Sequence, residues 1–174
     1  MALGRAVLNR PASIVCGEAE LLIIFDLDGT LVIGPPGRIA NTAEEQSFLP
    51  GVLDACEHYR GRGDTLAIAS NQGGVALGYL TLSDAHRRVE QAALTIGADH
   101  FRFCPFHPEG TIPEFAKDAD CRKPKPGMLY ELMGEVGASS EDTLFVGDSP
   151  EDEEAAEAAG VSFEWRDDFF ETWA

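Results

Sequence analysis

Cationic side chains are scarce in this chain: 13 Lys and Arg stand against 30 Asp and Glu, a formal net charge of −17 over 174 residues. A field of that sign repels polyanions, which argues against nucleic acid and against an anionic membrane as the main partner. A small phosphorylated ligand stays open, because a local cluster of cations with a metal ion can overrule the global field. Long apolar runs are also missing. Nothing approaches the length of a membrane span, and Ala6-Val7-Leu8, between Arg5 and Arg10, is too short for the apolar core of a signal peptide. The four cysteines, Cys16, Cys56, Cys104 and Cys121, are unevenly spaced, unlike a secreted disulfide framework. Together these absences point to a cytoplasmic location. No repeat of fixed period and no low-complexity tract is present, which excludes solenoids and arrays. What remains is an ordinary balance of 44% hydrophobic and 25% charged residues, enough for one folded core. That domain is expected over residues 20–174, after a lead-in of residues 1–19, and is expected to act as a monomer.

The most informative stretch is Leu21-Leu22-Ile23-Ile24-Phe25-Asp26-Leu27-Asp28-Gly29-Thr30. Five apolar residues followed by two close carboxylates predict a buried parallel strand whose carboxyl end opens into a site. Carboxylates this near each other repel, and a divalent cation is the usual way to keep both ionised. A polar turn after a core strand is the plainer alternative for Asp-x-Asp alone.

The pattern recurs along the chain. Thr65-Leu66-Ala67-Ile68-Ala69 predicts a second buried strand, ending in Ser70-Asn71-Gln72, and Thr143-Leu144-Phe145-Val146-Gly147 a third, ending in Asp148-Ser149. Helices are predicted between them. One starts near Val52, with Val52, Leu53, Cys56 and Tyr59 facing inward, and one spans Ser83 to Ile96 with Ser83 as its cap. Others start near Pro126 and at Pro150, the latter closed by Gly160. Short strands are expected at Phe101–Cys104 and Val161–Trp165, and the segment after Thr30 is expected to form a small flap over the first strand end. Strands alternating with helices predict an α/β fold with a central parallel sheet and right-handed crossovers.

The strand ends would then collect three carboxylates, Asp26, Asp28 and Asp148, the Ser70 hydroxyl, the Asn71 amide and the Arg122-Lys123 cations. Phosphoryl transfer needs such a set. A carboxylate can attack phosphorus, Mg2+ can neutralise the non-bridging oxygens, and fixed donors can hold the equatorial oxygens of the transition state. A second carboxylate can protonate the leaving alkoxide and later activate water.

Four segments, Asp26-Leu27-Asp28-Gly29-Thr30, Ser70-Asn71-Gln72, Lys123-Pro124-Lys125-Pro126 and Gly147-Asp148-Ser149-Pro150-Glu151-Asp152, resemble in order the signature motifs of the haloacid dehalogenase-like phosphohydrolases. The resemblance implies a Rossmann-like three-layer sandwich without a large cap domain. It also implies catalytic roles for four residues: Asp26 as nucleophile, Asp28 as general acid and base, Ser70 on the phosphoryl group and Lys123 on the intermediate. Mg2+ would be held by Asp26, Asp28 and Asp148, and substrate by Asn71, Gln72 and Arg122. Asp152 would support the metal or simply begin a helix. Within the superfamily the chain is similar to the branch of histidinol-phosphate and heptose-1,7-bisphosphate phosphatases, which implies a small phosphorylated metabolite as substrate. A polynucleotide 3'-phosphatase is the competing enzyme reading, since Asp-Leu-Asp-Gly-Thr matches that group's first motif, although the net charge opposes it. A non-catalytic binding domain on the same scaffold is the alternative of another class.

Relatives in that branch carry a structural zinc loop before the Arg-Lys pair. Here Cys104, His107 and Cys121 are the candidate Zn2+ ligands, with Phe106 and Ala119 at two positions where the loop would place ligands. Three is one short of a tetrahedral structural site, so the competing expectation is that these cysteines are ordinary small residues.

Overall fold

A computed structural model describes residues 20–173, so the expected lead-in lies outside the described residues. Strand β1 (Leu22–Phe25) is a short branched-chain run whose four side chains are all buried. It alternates across the sheet: Ile23 and Phe25 join one core, and Leu22 and Ile24 join the other. A two-stranded antiparallel hairpin follows, β2 (Val32–Ile33) and β3 (Ser47–Phe48), with a single 3-10 turn at Ala43–Glu45 between them. Then come α1 (Val52–Gly61), β4 (Thr65–Asn71), α2 (Leu82–Ile96) and β5 (His100–Cys104). After a long loop the chain continues through α3 (Gly127–Val136), β6 (Thr143–Gly147), α4 (Pro150–Ala159), β7 (Ser162–Trp165) and α5 (Arg166–Phe170).

The main sheet has five parallel strands in the order β5-β4-β1-β6-β7. Helices α1, α2 and α5 cover one face through Val52, Val89, Phe169 and Phe170, and α3 and α4 cover the other through Met128, Leu132 and Ala155. This is the expected three-layer sandwich. From β1 the chain first builds outward through β4 and β5, then returns to β6 on the opposite side of β1. The crevice at that switch point is where an open parallel sheet binds ligands, and the carboxylates that follow β1 and β6 flank it.

Two local expectations are corrected. Leu53 on α1 is 47% exposed, and Ala55 takes the inward position beside Val52 and Cys56. The cap of α2 is Thr81 and not Ser83: the Thr81 hydroxyl accepts from the Asp84 N–H at 3.0 Å, two residues earlier than the Ser83 start would place it. The flap between Gly34 and Gln46 is anchored at both ends by the β2/β3 pair, whose two-residue strands are too short to show a period in the sequence.

Candidate active site

Three loops leaving β1, β4 and β6 meet the segment that leads into α3. Lys123, on that segment and 3% exposed, is the hub. Its Nζ lies 2.5 Å from Asp26 Oδ1 and 2.6 Å from Asp152 Oδ1, and it donates to the Ala69 carbonyl at 3.0 Å. Asn71 fixes the Lys123 backbone from the end of β4: its Nδ2 donates to the Lys123 carbonyl at 3.1 Å, and its Oδ1 accepts the Lys123 N–H at 3.0 Å.

Asp148 follows β6 and accepts from Thr30 Oγ1 at 3.1 Å. Gly29, at φ +92°, is the turn that brings the first loop this close: a Cβ there would strike the Asp148 carboxylate. Asp152 serves two purposes at once. Its Oδ2 accepts from Ser149 Oγ at 2.7 Å and from the Ser149 N–H at 3.2 Å, tying down the first turn of α4, while its Oδ1 faces Lys123. Of the two readings of Asp152 made from the sequence, the start of a helix is the one these contacts show.

One ammonium cannot neutralise three carboxylates, and the titration of the group reflects this. Burial pushes Asp26 up from its ordinary 3.8 to about 7; Lys123 pulls against that, while Asp152 and Asp28 add to it. Asp148 is also raised, first by burial, with the Thr30 hydrogen bond opposing. Burial would lower Lys123, but the charges of Asp26 and Asp152 outweigh it and hold the ammonium above its ordinary range. Carboxylate oxygens of Asp26, Asp148 and Asp152 lie within 4.8 Å of one another. An all-oxygen cluster carrying more negative charge than its lysine compensates fits a hard divalent cation such as Mg2+.

Above the cluster lies a cavity of about 200 Å³ lined by Asp26, Asp28, Asn71, Arg122, Lys123, Asp148, Ser149, Glu151 and Asp152. Six of the predicted site residues therefore face one space: Asp26, Asp28, Asn71, Arg122, Lys123 and Asp148. Ser70 and Gln72 do not line it. They are 1% and 3% exposed, and Gln72 Nε2 donates to Ser70 Oγ and to Asp28 Oδ2, both at 2.9 Å. The predicted substrate contact at Gln72 is corrected on this account, because its amide is spent inside the protein. Arg122 donates to the Phe106 carbonyl at 3.2 Å and keeps the rest of its fork at the cavity wall. A second cavity of about 390 Å³ shares Asp28 and runs beneath the flap from Val32 to Ile39.

The zinc expectation is also corrected. Cys104 and Cys121 are joined to each other as a disulfide, with Cα atoms 5.5 Å apart, and His107 Nδ1 accepts from the Glu109 N–H at 3.1 Å. Sulfurs that bond each other are not offered to a metal, and among the described residues the only acidic, His or Cys group placed to hold one is Asp26, Asp148 and Asp152. The pairing also corrects the competing expectation that Cys104 and Cys121 are ordinary small residues, and it weakens cysteine usage as an argument for compartment.

Two participants carried no signal strong enough to name them from sequence. Thr30 lay within the first motif without an assigned role. Arg88 sits on the inward stripe of α2, three residues after Ala85 and four before Ala92, and a cation in an apolar stripe is the one hint it gives.

The polynucleotide kinase 3 phosphatase family matches residues 21–170. The D-glycero-beta-D-manno-heptose-1,7-bisphosphate 7-phosphatase of Yersinia pestis is 33% identical over 144 residues, covering 80% of this chain and 76% of that protein. The Pseudomonas putida protein of the same name is 38% identical over 145 residues, covering 80% and 78%. Among solved structures, the D,D-heptose 1,7-bisphosphate phosphatase of B. bronchiseptica, in complex with magnesium and phosphate, superposes with a TM-score of 0.70 at 26% identity, covering 82% of this chain and 78% of that one. No helix among the described residues is long and apolar enough to cross a membrane.

Proposed function

This chain belongs to the haloacid dehalogenase-like phosphatases, in the branch of the polynucleotide kinase 3 phosphatase family, and on that premise we propose that it is a Mg2+-dependent phosphomonoesterase working through an aspartyl-phosphate at Asp26. The observation that carries the reading is the buried contact of Lys123 with Asp26 at 2.5 Å, at a cavity that Asp28 and Asp148 also line. Asp26 and Asp148 would hold the metal, with Asp28 beside them; Asp152 is already committed to Lys123 and to α4. When bound, the metal supplies charge neutralisation of the phosphoryl oxygens.

This chain's own residues divide the remaining work. Lys123 holds the Asp26 carboxylate and faces the phosphoryl oxygens, and Asn71 keeps the Lys123 backbone in place. Asp26 attacks phosphorus; Asp28 gives a proton to the departing alcohol, then takes one from the water that releases phosphate. Ser70, buried behind the cavity floor, would reach the phosphoryl group only through a rearrangement of its Gln72 hydrogen bond. The alcohol part of the substrate fits the larger cavity under the flap, next to Asp28, and Arg122 stands ready for a phosphate or sugar hydroxyls.

The named relatives support a sugar bisphosphate of the heptose kind as substrate; a monomeric enzyme in the cytoplasm is proposed from the sequence alone. The matched family's description favours a second reading, hydrolysis of a polynucleotide 3'-phosphate, which the net charge of −17 opposes. Free phosphate released from heptose-1,7-bisphosphate and from a 3'-phosphorylated oligonucleotide, each with Mg2+, separates the two. Preference for the oligonucleotide would reverse the ranking, and no release from any phosphate ester would end both.

The metal should also compete with a proton. Because Asp26 is raised from 3.8 to about 7, the metal-free fold binds this proton more tightly than the unfolded chain does. Its contribution to stability is therefore full below about 3.8 and is lost as pH rises through about 7. Mg2+ binding must displace the same proton, so affinity is expected to rise by up to about tenfold per pH unit below 7 and to level off above it. Calorimetric titration of Mg2+ at pH 6, 7 and 8 reads this directly; a pH-independent affinity would mean that Asp26 is not a ligand.

A further inference from the structure

Arg88 is the largest fully buried side chain among the described residues, 1% exposed, and no step above uses it. We propose that Arg88 is a positioning residue that aims the Asp28 carboxyl at the ester oxygen of the substrate; the proposal rests on the reading of Asp28 as proton donor.

The geometry is a closed ring. Arg88 Nη2 pairs with Asp28 Oδ1, Arg88 Nη1 donates to Gln72 Oε1 at 2.7 Å, and Gln72 Nε2 donates to Asp28 Oδ2 at 2.9 Å. Each carboxyl oxygen is thus held from a different direction, which fixes the plane of the group and leaves a second lone pair on each oxygen for the proton it exchanges. The guanidinium is itself clamped: its Nε donates to Gln46 Oε1 at 3.1 Å, and Gln46 Nε2 donates to the Arg88 carbonyl at 3.2 Å. Gln46 lies where the flap returns into β3, so the ring ties α2, the end of β4 and the flap to one carboxyl.

Stability does not explain this arrangement. Burying a guanidinium carries a large desolvation cost, and an apolar side chain in place of a buried ion pair is often neutral or stabilising. Ala85, Val89 and Ala92 form an apolar stripe around Arg88, where such a side chain would pack. What the cation adds is direction: the Asp28 side chain keeps 18% of its surface exposed, and it lines both cavities.

In the step concerned, an Asp26 carboxylate oxygen forms a bond to phosphorus and the ester P–O bond breaks. The electron pair stays on the departing oxygen, and the Asp28 proton moves to it. In the second half, water bonds to phosphorus, its proton returns to Asp28, and the Asp26–phosphorus link opens. An alkyl oxygen needs the Asp28 proton to leave, whereas a nitrophenolate leaves without it.

The ratio of kcat/KM for an alkyl phosphate to that for p-nitrophenyl phosphate therefore tests the role. In Arg88→Met, kcat/KM for the alkyl ester is expected to fall by about a hundredfold, the scale of general acid catalysis, and that for the aryl ester by less than about threefold. Both values come from one preparation, so the ratio does not depend on the folded fraction. Gln46→Ala, a milder change at a half-buried site, should move the ratio the same way by a smaller factor, and it carries the test if Arg88→Met does not fold. Equal losses on both esters, or no loss on either, would overturn the proposal. A wild-type protein that cleaves neither ester with Mg2+ would instead remove the phosphatase mechanism on which it rests.

Discussion

Asp26→Asn is expected to lower turnover by about 10⁴-fold or more, the order reached when a covalent nucleophile is removed, while the fold stands. The amide keeps the shape of the side chain and can still accept from Lys123, so packing around β1 is undisturbed. It cannot bond to phosphorus as a carboxylate does. Two further readouts separate lost chemistry from lost structure. In the wild type, burial holds Asp26 at about 7, so the metal-free fold loses stability as pH rises toward 8. The variant has no such group, and its melting temperature at pH 8 should equal or exceed that of the metal-free wild type. Its stabilisation by Mg2+ should largely disappear, because the remaining oxygens form an incomplete site. Full activity in this variant would mean that the nucleophile has been misassigned.

Lys123→Met should damage both stability and activity. The ammonium is 3% exposed and is the cation shared by Asp26 and Asp152, so its removal leaves buried carboxylates without a counter-charge. Breaking a buried pair from one side costs about 3–5 kcal/mol, a fall in melting temperature of roughly 10 °C for a domain of this size. The sign with pH follows from Asp26. In acid it takes up a proton and the deficit shrinks; at pH 8 it must ionise or keep an unfavourable proton, and the deficit is largest. Mg2+ should recover part of the loss by replacing the missing positive charge. Activity should fall by about 10²- to 10³-fold even where the variant is fully folded, as when one fixed donor to a transition-state oxygen is lost. Melting curves at pH 6 and pH 8, with and without Mg2+, check the stability half. A deficit that does not change with pH would mean that Lys123 is not balancing the carboxylates.

The part of this site that could be seen in the sequence is the part built by strand ends. Apolar runs at 22–25, 65–69 and 143–147 break abruptly into Asp, Ser, Asn and Asp, and parallel pairing of three such strands must bring those groups to one edge. Asp26 and Asp148 were legible for that reason, whereas Lys123, on the segment that leads into α3, was named only through the motif it belongs to. Residues that act through a partner far along the chain were not legible. Arg88 is a cation in an apolar stripe with no purpose visible until Asp28, 60 residues earlier, is found beside it, and Gln72 reads as a cavity residue until its amide is seen bonded to both Asp28 and Ser70.

The errors have similar causes. Thr81 and Ser83 offer the same hydroxyl chemistry two residues apart, and only the backbone path decides which one caps α2. Leu53 and Ala55 differ in hydrophobicity, yet helix phase sends the larger residue outward and buries the smaller one. In the loop after β5, Phe106 and Ala119 supply no ligand atom where two would be needed. The remaining sulfurs of Cys104 and Cys121 are then within reach of each other, so the loop is closed by their bond and not by a metal.

In the mechanism proposed here, Asp26 carries the phosphoryl group during turnover. The most direct test is to quench the wild-type protein with acid while it turns over an aryl phosphate with Mg2+, reduce any acyl phosphate with borohydride, and map the product by peptide mass spectrometry. Homoserine is expected at position 26 and at no other Asp, and it should be absent when substrate is omitted. A reduced residue elsewhere, or none in a protein that is turning over, would contradict it.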